Sequence, residues 1–258
     1  MIIVGNSILV SLNPKKMLPE FTYSGNYQLK YEKLSNGDYN WEIAILSGNG
    51  DNLKFTRVVD SVDIFIVGGG NPGGNASGNI WGDGYYAQGG NGGNGGQCRT
   101  ITNFSISKNV NYSLKIGASG QSTIGFGYTS IAGGGSSGGT GAFERQTPSA
   151  RYAGTAGSNG VYAFGNSTTL FSSGTRYGAG GGSGGAININ QGGSVGGAPG
   201  ITGGGSGGTI SHGDGYNAVA NTGSGGGGGY AKFNNTGDYW AGSGGAGGSG
   251  IIIIRNHR

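Results

Sequence analysis

The stretch GGNGGNGGQ at residues 89–97 sets the tightest limit on what this chain can fold into. It repeats every third residue, with two glycines per repeat and no hydrophobic side chain. It can therefore form neither an amphipathic helix nor a half-buried strand. The period returns in GGSGGA at 181–186, GGSGGT at 204–209 and GGAGGS at 244–249. Ordering a backbone residue costs about 1–2 kcal/mol, so a flexible linker is the default reading of such tracts. Two observations oppose it. The tracts alternate with islands rich in aromatic and β-branched residues, and IIIIR at 251–255 directly follows the last one. Four consecutive isoleucines are not left in water.

Period three matches polyproline-II-type geometry, with about three residues per turn and about 3.1 Å rise. Side chains then lie along three edges, and a Gly-Gly-X repeat leaves two of them bare. Neighbouring backbones can pack closely and exchange N–H···O=C and Cα–H···O bonds. Asn91, Asn94, Ser183, Ser206 and Ala246 line the third edge, toward solvent or a neighbouring layer. Collagen uses related helices, but it needs a proline-rich Gly-X-Y pattern, and this chain has five prolines and pairs its glycines. The expectation is a polyglycine-II helix bundle with long connecting loops. Its runs are 68–74, 89–96, 133–141, 153–160, 178–185, 192–197, 203–208, 223–229 and 242–250. If neighbours alternate in direction, the connections 75–88, 142–152 and 210–222 share one end. The connections 97–132, 161–177 and 230–241 share the other.

Only five of the 65 glycines precede residue 67. There YQLKYEKL and NWEIAIL alternate in strand fashion, with Asn-Gly turn signals in SNGD at 35–38 and GNGDN at 48–52. Residues 1–66 read as a small antiparallel β module with Tyr23, Trp41 and Phe55 in its core, and 67–258 as the glycine-rich bundle. A strand-rich insertion covers about 97–132, where Ile101, Phe104, Ile106, Tyr112, Leu114 and Ile116 can face one core. A C-terminal strand occupies 251–255, and essentially no α-helix is expected.

Charged residues make up 10% of the chain and the net charge is +4, with no basic run, which gives nucleic acid little hold. The single cysteine, Cys98, excludes an internal disulfide framework. The opening MIIVGNSILVSLNPKK is a poor signal peptide, and no apolar stretch approaches the roughly 18 residues of a membrane span. The reading is a soluble protein made in the cytoplasm without processing. Catalytic patterns are thin as well. The two histidines are His212 and His257, and a metal site at His212 and Asp214 is outweighed by a plain turn. Asp83, Glu144 and Asp214 could converge at one end for glycoside cleavage, a weak pattern. Matches to G-x-G-x-x-G arise by chance at this glycine content, outside any βαβ unit. No enzyme, cofactor or metal is expected.

NWEIAILSGNGDNLKF with VDIFIVGGG, then ISKNVNYSLKIGASGQSTIGFGYTSIAGGGSSGG, then the closing GGAGGSGIIIIR resemble glycine-rich tail-fibre and tail-tip proteins of tailed bacteriophages. The similarity covers roughly residues 40–258. Residues 1–20 depart from the attachment segment of the best-known adhesins of that family. The resemblance implies a receptor-binding adhesin on the virion, at the distal end of a tail fibre. It implies two partners, a bacterial surface receptor (outer-membrane protein or glycan) and a fibre protein held through the N-terminal module. The alternative is a structural fibre-tip protein without receptor contact. The loops suit contact, because rigid rings supply area while small polar groups adapt. IWGDGYYA at 80–87 and ISHGDGYNA at 210–218 share Gly-Asp-Gly-Tyr-x-Ala, and AFERQTPSARY spans 142–152. The candidate contact residues are Trp81, Asp83, Tyr85, Tyr86, Phe143, Glu144, Arg145, Arg151, Tyr152, His212, Asp214 and Tyr216. Phe164, Phe171, Tyr177, Phe233, Tyr239 and Trp240 are expected at the opposite end, near the N-terminal module.

Overall fold

The computed structural model describes residues 2–4, 7–9, 17–57, 61–81, 84–145, 150–166, 170, 174–188, 192–193, 197, 203–233 and 238–256. Among them the chain is strand and extended backbone. Its one helical feature is a 3₁₀ turn at Ala163–Gly165.

Two antiparallel five-stranded sheets form one end. The first runs Cys98–Ser105, Ser61–Val67, Ile251–Asn256, Tyr39–Ile45, Tyr27–Lys33. The second runs Tyr128–Ser130, Thr123–Gly125, Asn111–Lys115, Asn49–Phe55, Phe21–Thr22. Residues 21–67, the 98–130 island and the C-terminal strand thus share two sheets. Ser61–Val67 pairs with Cys98–Ser105 on one side and Ile251–Asn256 on the other. SNGD makes the expected hairpin, with Gly37 at φ 86°. GNGDN does not. Gly50, at φ 91°, is instead a bulge opposite Asn111–Lys115, just after the chain crosses between sheets.

The sheets enclose Trp41, Ile43, Leu53, Phe55, Ile64, Leu114, Ile252 and Ile254, with Ile101, Phe104 and Tyr23 at the margin. The Tyr23 hydroxyl donates to the Ser47 carbonyl at 2.6 Å. Strand alternation turns Ile251 and Ile253 the other way, onto Phe65, Ala163 and Tyr177. A strand covered on both faces needs an unbroken apolar run, and this accounts for the four isoleucines. Beyond them Arg255 Nε lies 3.2 Å from Asp63 Oδ2, on a carboxylate only 4% exposed. The Asn103 amide donates to the other oxygen at 3.1 Å, and Phe164 stacks its ring 4.0 Å from the guanidinium carbon.

The glycine runs hold one another through main-chain hydrogen bonds. Amides of Gly68, Asn71 and Gly74 donate to carbonyls of Gln97, Asn94 and Asn91. Those of Gly70, Gly73 and Ala76 donate to Gly248, Gly245 and Gly242. The bonding repeats every third residue, and falling partner numbers make both neighbours antiparallel. Pro72, which has no N–H to offer, takes the remaining phase and is exposed.

Segment 222–231 is buried along its length. Its amides from Gly225 to Ala231 donate to 178–186, 68–76 and 213–219, and its carbonyls from Gly223 to Tyr230 accept from 89–97, 203–208 and 242–250. Enclosed on every side, it carries five consecutive glycines, 225–229. A Cβ on Gly225 would overlap the Gly93 carbonyl oxygen, and one on Gly227 that of Ser206. Outer runs keep their third residue on the surface. Asn91 and Asn94 are exposed, and their Oδ1 atoms accept from the amides of Gly141 (2.7 Å) and Gly138 (2.9 Å). Asp214 and Asn217 do the same for Ser243 and Ala246, each at 2.7 Å. The side chain supplies an acceptor where no further run exists. Ser183 is the buried case, its Oγ donating to the Thr155 carbonyl at 3.0 Å.

Bond directions give the topology. Segments 68–76, 133–142, 178–186, 203–208 and 222–231 run away from the two-sheet end, while 89–97, 153–160, 213–219 and 242–250 return. Residues 194–196 of the run expected at 192–197 lie outside the described residues. Residues 213–219, read from sequence as loop, are a run of their own. Tyr216 and Val219 donate to Ser206 and Gly203, while Gly215 and Ala218 donate to Ser243 and Ala246. This corrects the expected alternation for everything after it. The connection at 231–241 falls at the far end, and 242–250 comes back to where Ile251–Asn256 must pair.

Three substitutions separate these contributions by thermal unfolding. Gly228→Ala, whose Cβ would meet the Gly90 carbonyl, costs about 3 kcal/mol through overpacking against backbone that cannot yield. Asn94→Ala, on the surface, loses one hydrogen bond and costs about 1 kcal/mol. Arg255→Met strands the buried Asp63 carboxylate and costs about 3 kcal/mol or more.

Candidate functional site at the far end of the bundle

At the far end the outward runs continue into short strands. Ser77–Trp81 and Gly84–Gln88 follow 68–76, and Phe143–Arg145 and Ala150–Tyr152 follow 133–142. Together they make one four-stranded sheet. A second contains Gly192–Gly193, Ala186–Asn188, Ala231–Phe233 and Tyr239–Ala241. Ala186–Asn188 and Ala231–Phe233 pair in parallel, as do the runs that lead into them. The sheets face each other across Ala76, Ala87, Ala142, Ala186, Ala231 and Phe233.

Strand alternation sorts the side chains. Glu144 points inward, 2% exposed, in register with Ala87 and Arg151. Burial, then the nearby Glu144 carboxylate, push the Tyr230 phenol up to about 12, with Arg151 opposing. Phe143 and Arg145 point outward. Phe143 sits between Gln88 and Tyr152, and Arg145 between Tyr86 and Ala150. Tyr86, Phe143 and Tyr152 form a row of rings with centroids 5.9 and 6.2 Å apart, tilted by 31° and 35°. Tyr152 is 65% exposed.

A second exposed group lies on the other sheet and the adjoining turn. Lys232 is in register with Trp240, its Nζ 5.6 Å from the ring centroid. Trp240 lies over Gly213, where any Cβ would overlap the indole. The turn at 209–212 closes through reciprocal Thr209 and His212 backbone bonds and carries the exposed Ile210. The His212 ring stacks on Tyr216 at 4.4 Å and 20°.

Eight residues singled out in the sequence, Trp81, Tyr85, Tyr86, Phe143, Glu144, Arg145, Arg151 and Tyr152, therefore share one sheet, with Glu144 turned inward. His212 and Tyr216 belong to the second group, and Asp214 is an acceptor in the bundle wall. Trp81 and Tyr85 hold strand positions in Ser77–Trp81 and Gly84–Gln88, while Asp83 lies outside the described residues. The two Gly-Asp-Gly-Tyr motifs are not equivalent, one entering a hairpin strand and the other a run. Phe233, Tyr239 and Trp240, expected beside the N-terminal strands, are at this far end instead. Phe164 and Tyr177 do pack at the two-sheet end, against Phe65, and Phe171 lies outside the described residues. Sequence reading assigned Lys232 and Trp240 to the opposite end, and it did not name Ile210 within the 210–222 connection that it did assign to this end. The signal was available, since Asp214 and Asn217 repeat the three-residue spacing of Asn91 and Asn94.

Among the described residues no group of three or more histidine, cysteine, aspartate or glutamate side chains is placed to hold a metal ion. No protein-family model matches the chain, and no curated protein is significantly similar to it.

The raised Tyr230 value has a signed consequence. Between its usual value near 10 and about 12 the folded protein keeps a proton that the unfolded chain has lost. Stability therefore falls as pH rises through that window. Tyr230→Phe flattens the decline of melting temperature between about pH 10 and 12. A residual slope remains from Tyr23, also raised to about 12 chiefly by burial.

Proposed function

We propose that this chain is the receptor-binding adhesin at the tip of a bacteriophage tail fibre, acting by contact alone without catalysing a reaction. The observation that carries the reading is the gathering of ring-bearing connections at the bundle end remote from the two-sheet end. The three-residue repeat of lateral hydrogen bonds supports polyglycine-II helices in the runs. At about 3.1 Å per residue, a run such as 68–76 spans about 25 Å. Such a bundle is a stiff spacer that keeps its tip residues at fixed positions with no flexible linker.

The two-sheet end, which includes strands from residues 21–67, serves as the base toward the fibre. The far end meets the bacterial surface. Tyr152 and Trp240 are rigid, exposed anchors with few rotatable bonds, which suits reversible adhesion at low entropic cost. Several fibres on one virion turn individually weak contacts into firm attachment.

The test is adsorption of fluorescently labelled protein to a panel of bacterial strains, beside a Tyr152→Ala, Trp240→Ala double variant with an unchanged melting profile. Strain-selective binding that falls at least tenfold in the variant is expected. Failure of the protein to bind any strain whose phage adsorbs would place the chain among structural fibre proteins.

A further inference from the structure

We infer that one edge of the run at 213–219 is a ladder for a glycan, leading from the far end along the bundle wall, and that its ligand is an extended, uncharged polysaccharide of the bacterial surface. This rests on the adhesin reading and names the receptor class. Tyr216 and Val219 lie three residues apart, and their amides donate to the same neighbouring run, at Ser206 and Gly203. They therefore share an edge of the run, and both side chains stand in solvent, 46% and 59% exposed. Gly213 is the preceding position on that edge, and there the Trp240 indole takes the space a Cβ would fill. Trp240, Tyr216 and Val219 thus follow one another as a row. In the extended geometry proposed for the runs, its steps are about 9 Å. The row begins at Trp240, so it continues the contact surface of the far end.

The row is held in place as well as exposed. His212 stacks on Tyr216 and covers one side of its ring, and its own Nδ1 lies 2.9 Å from the Asp214 carbonyl oxygen. Asp214 and Asn217 each commit Oδ1 to an amide of the run 242–250. The exposed Asn217 keeps its side-chain nitrogen as a donor beside Tyr216, and the hydroxyls of Thr209 and Ser211 stand 3.2 Å apart at the turn. A sugar suits such surroundings, because its C–H-rich face lies on an aromatic ring while its hydroxyls project toward polar neighbours. A polymer that repeats at fixed intervals matches a row with fixed steps, and a protein loop supplies no such repeat. Charge narrows the class. The segments that form this wall, 203–219 and 238–250, contain Asp214 and Asp238 but no lysine or arginine. The adjoining strand adds Lys232, whose Nζ is already engaged by the Trp240 ring. An anionic polymer would meet carboxylates here, and like charges facing each other cost binding.

The experiment uses the full-length protein and strains to which it adsorbs. Adsorption is expected to vanish after periodate, which opens sugar diols, and to survive protease shaving of the cells. Uncharged surface polysaccharide purified from such a strain is expected to bind the immobilised protein, and carboxylate-rich polysaccharide to bind about tenfold more weakly or worse. Tyr216→Ala and Trp240→Ala each weaken binding about tenfold or more with an unchanged melting profile, while Tyr216→Phe, which keeps the ring, stays within about twofold. Tyr31→Ala, at an exposed ring of the two-sheet end, leaves binding unchanged. Full binding by Tyr216→Ala would confine the contact to the far end and overturn the ladder. Tighter binding of the carboxylate-rich polymer would overturn the uncharged class. Adsorption that survives periodate but not protease would replace the glycan with a protein receptor, with the adhesin reading intact. Absence of adsorption to every untreated strain would instead sink the adhesin reading itself.

Discussion

Between two neighbouring glycine runs, the amide of one meets the carbonyl of the next with space for hydrogen and nothing larger. The bond recurs at every third residue and changes neighbour from one residue to the next. A run therefore needs partners around it before its polar backbone is satisfied, and an isolated run has none. This interaction replaces the conventional apolar core along the middle of the molecule. Gly181, Gly184, Gly225 and Gly228 each face a carbonyl oxygen that a methyl group would strike. Glycine is demanded there by close approach, despite its entropic cost on ordering.

Because the runs hold each other only laterally, their ends have to be fixed by other means. At one end Ile251–Asn256 enters the middle of a sheet between Ser61–Val67 and Tyr39–Ile45. The first run leaves from one of those strands and the last run delivers another, so the sheet clamps two antiparallel neighbours of the bundle. The buried Arg255 and Asp63 pair sits on the same strands. Its contribution lies in register, since a slip by one residue would bury an arginine among isoleucines.

The far end inherits its geometry from the bundle. Strands that continue closely spaced runs start too near each other for large side chains between them, and the inward positions are accordingly Ala76, Ala87, Ala142, Ala186 and Ala231. Phe233 is a large ring of that interior, and Tyr230 is buried beside Glu144. Other rings are left to the surface, where Tyr152 and Trp240 stand exposed. Alanines and main chain set the position of the sheets, and Tyr152 and Trp240 lie outside that packing, exposed to solvent.

Much of this was legible in the sequence because period carries local geometry. Strand alternation located Trp41 and Phe55 in the core, and the Asn-Gly at 36–37 marked a hairpin. The isoleucine run announced a C-terminal strand kept out of water. Local pattern does not report which partner a segment finds. The island at 98–130 and the C-terminal strand join the first region through pairings distant in sequence. The run at 213–219 hides its period under Asp214, Tyr216 and Asn217, with few glycines to reveal it. Sequence alone determined that the backbone would be extended and tightly packed, since residues without side chains permit that approach. Only the tertiary structure decided which rings share the far end, because one uncounted run reverses the direction of all that follow.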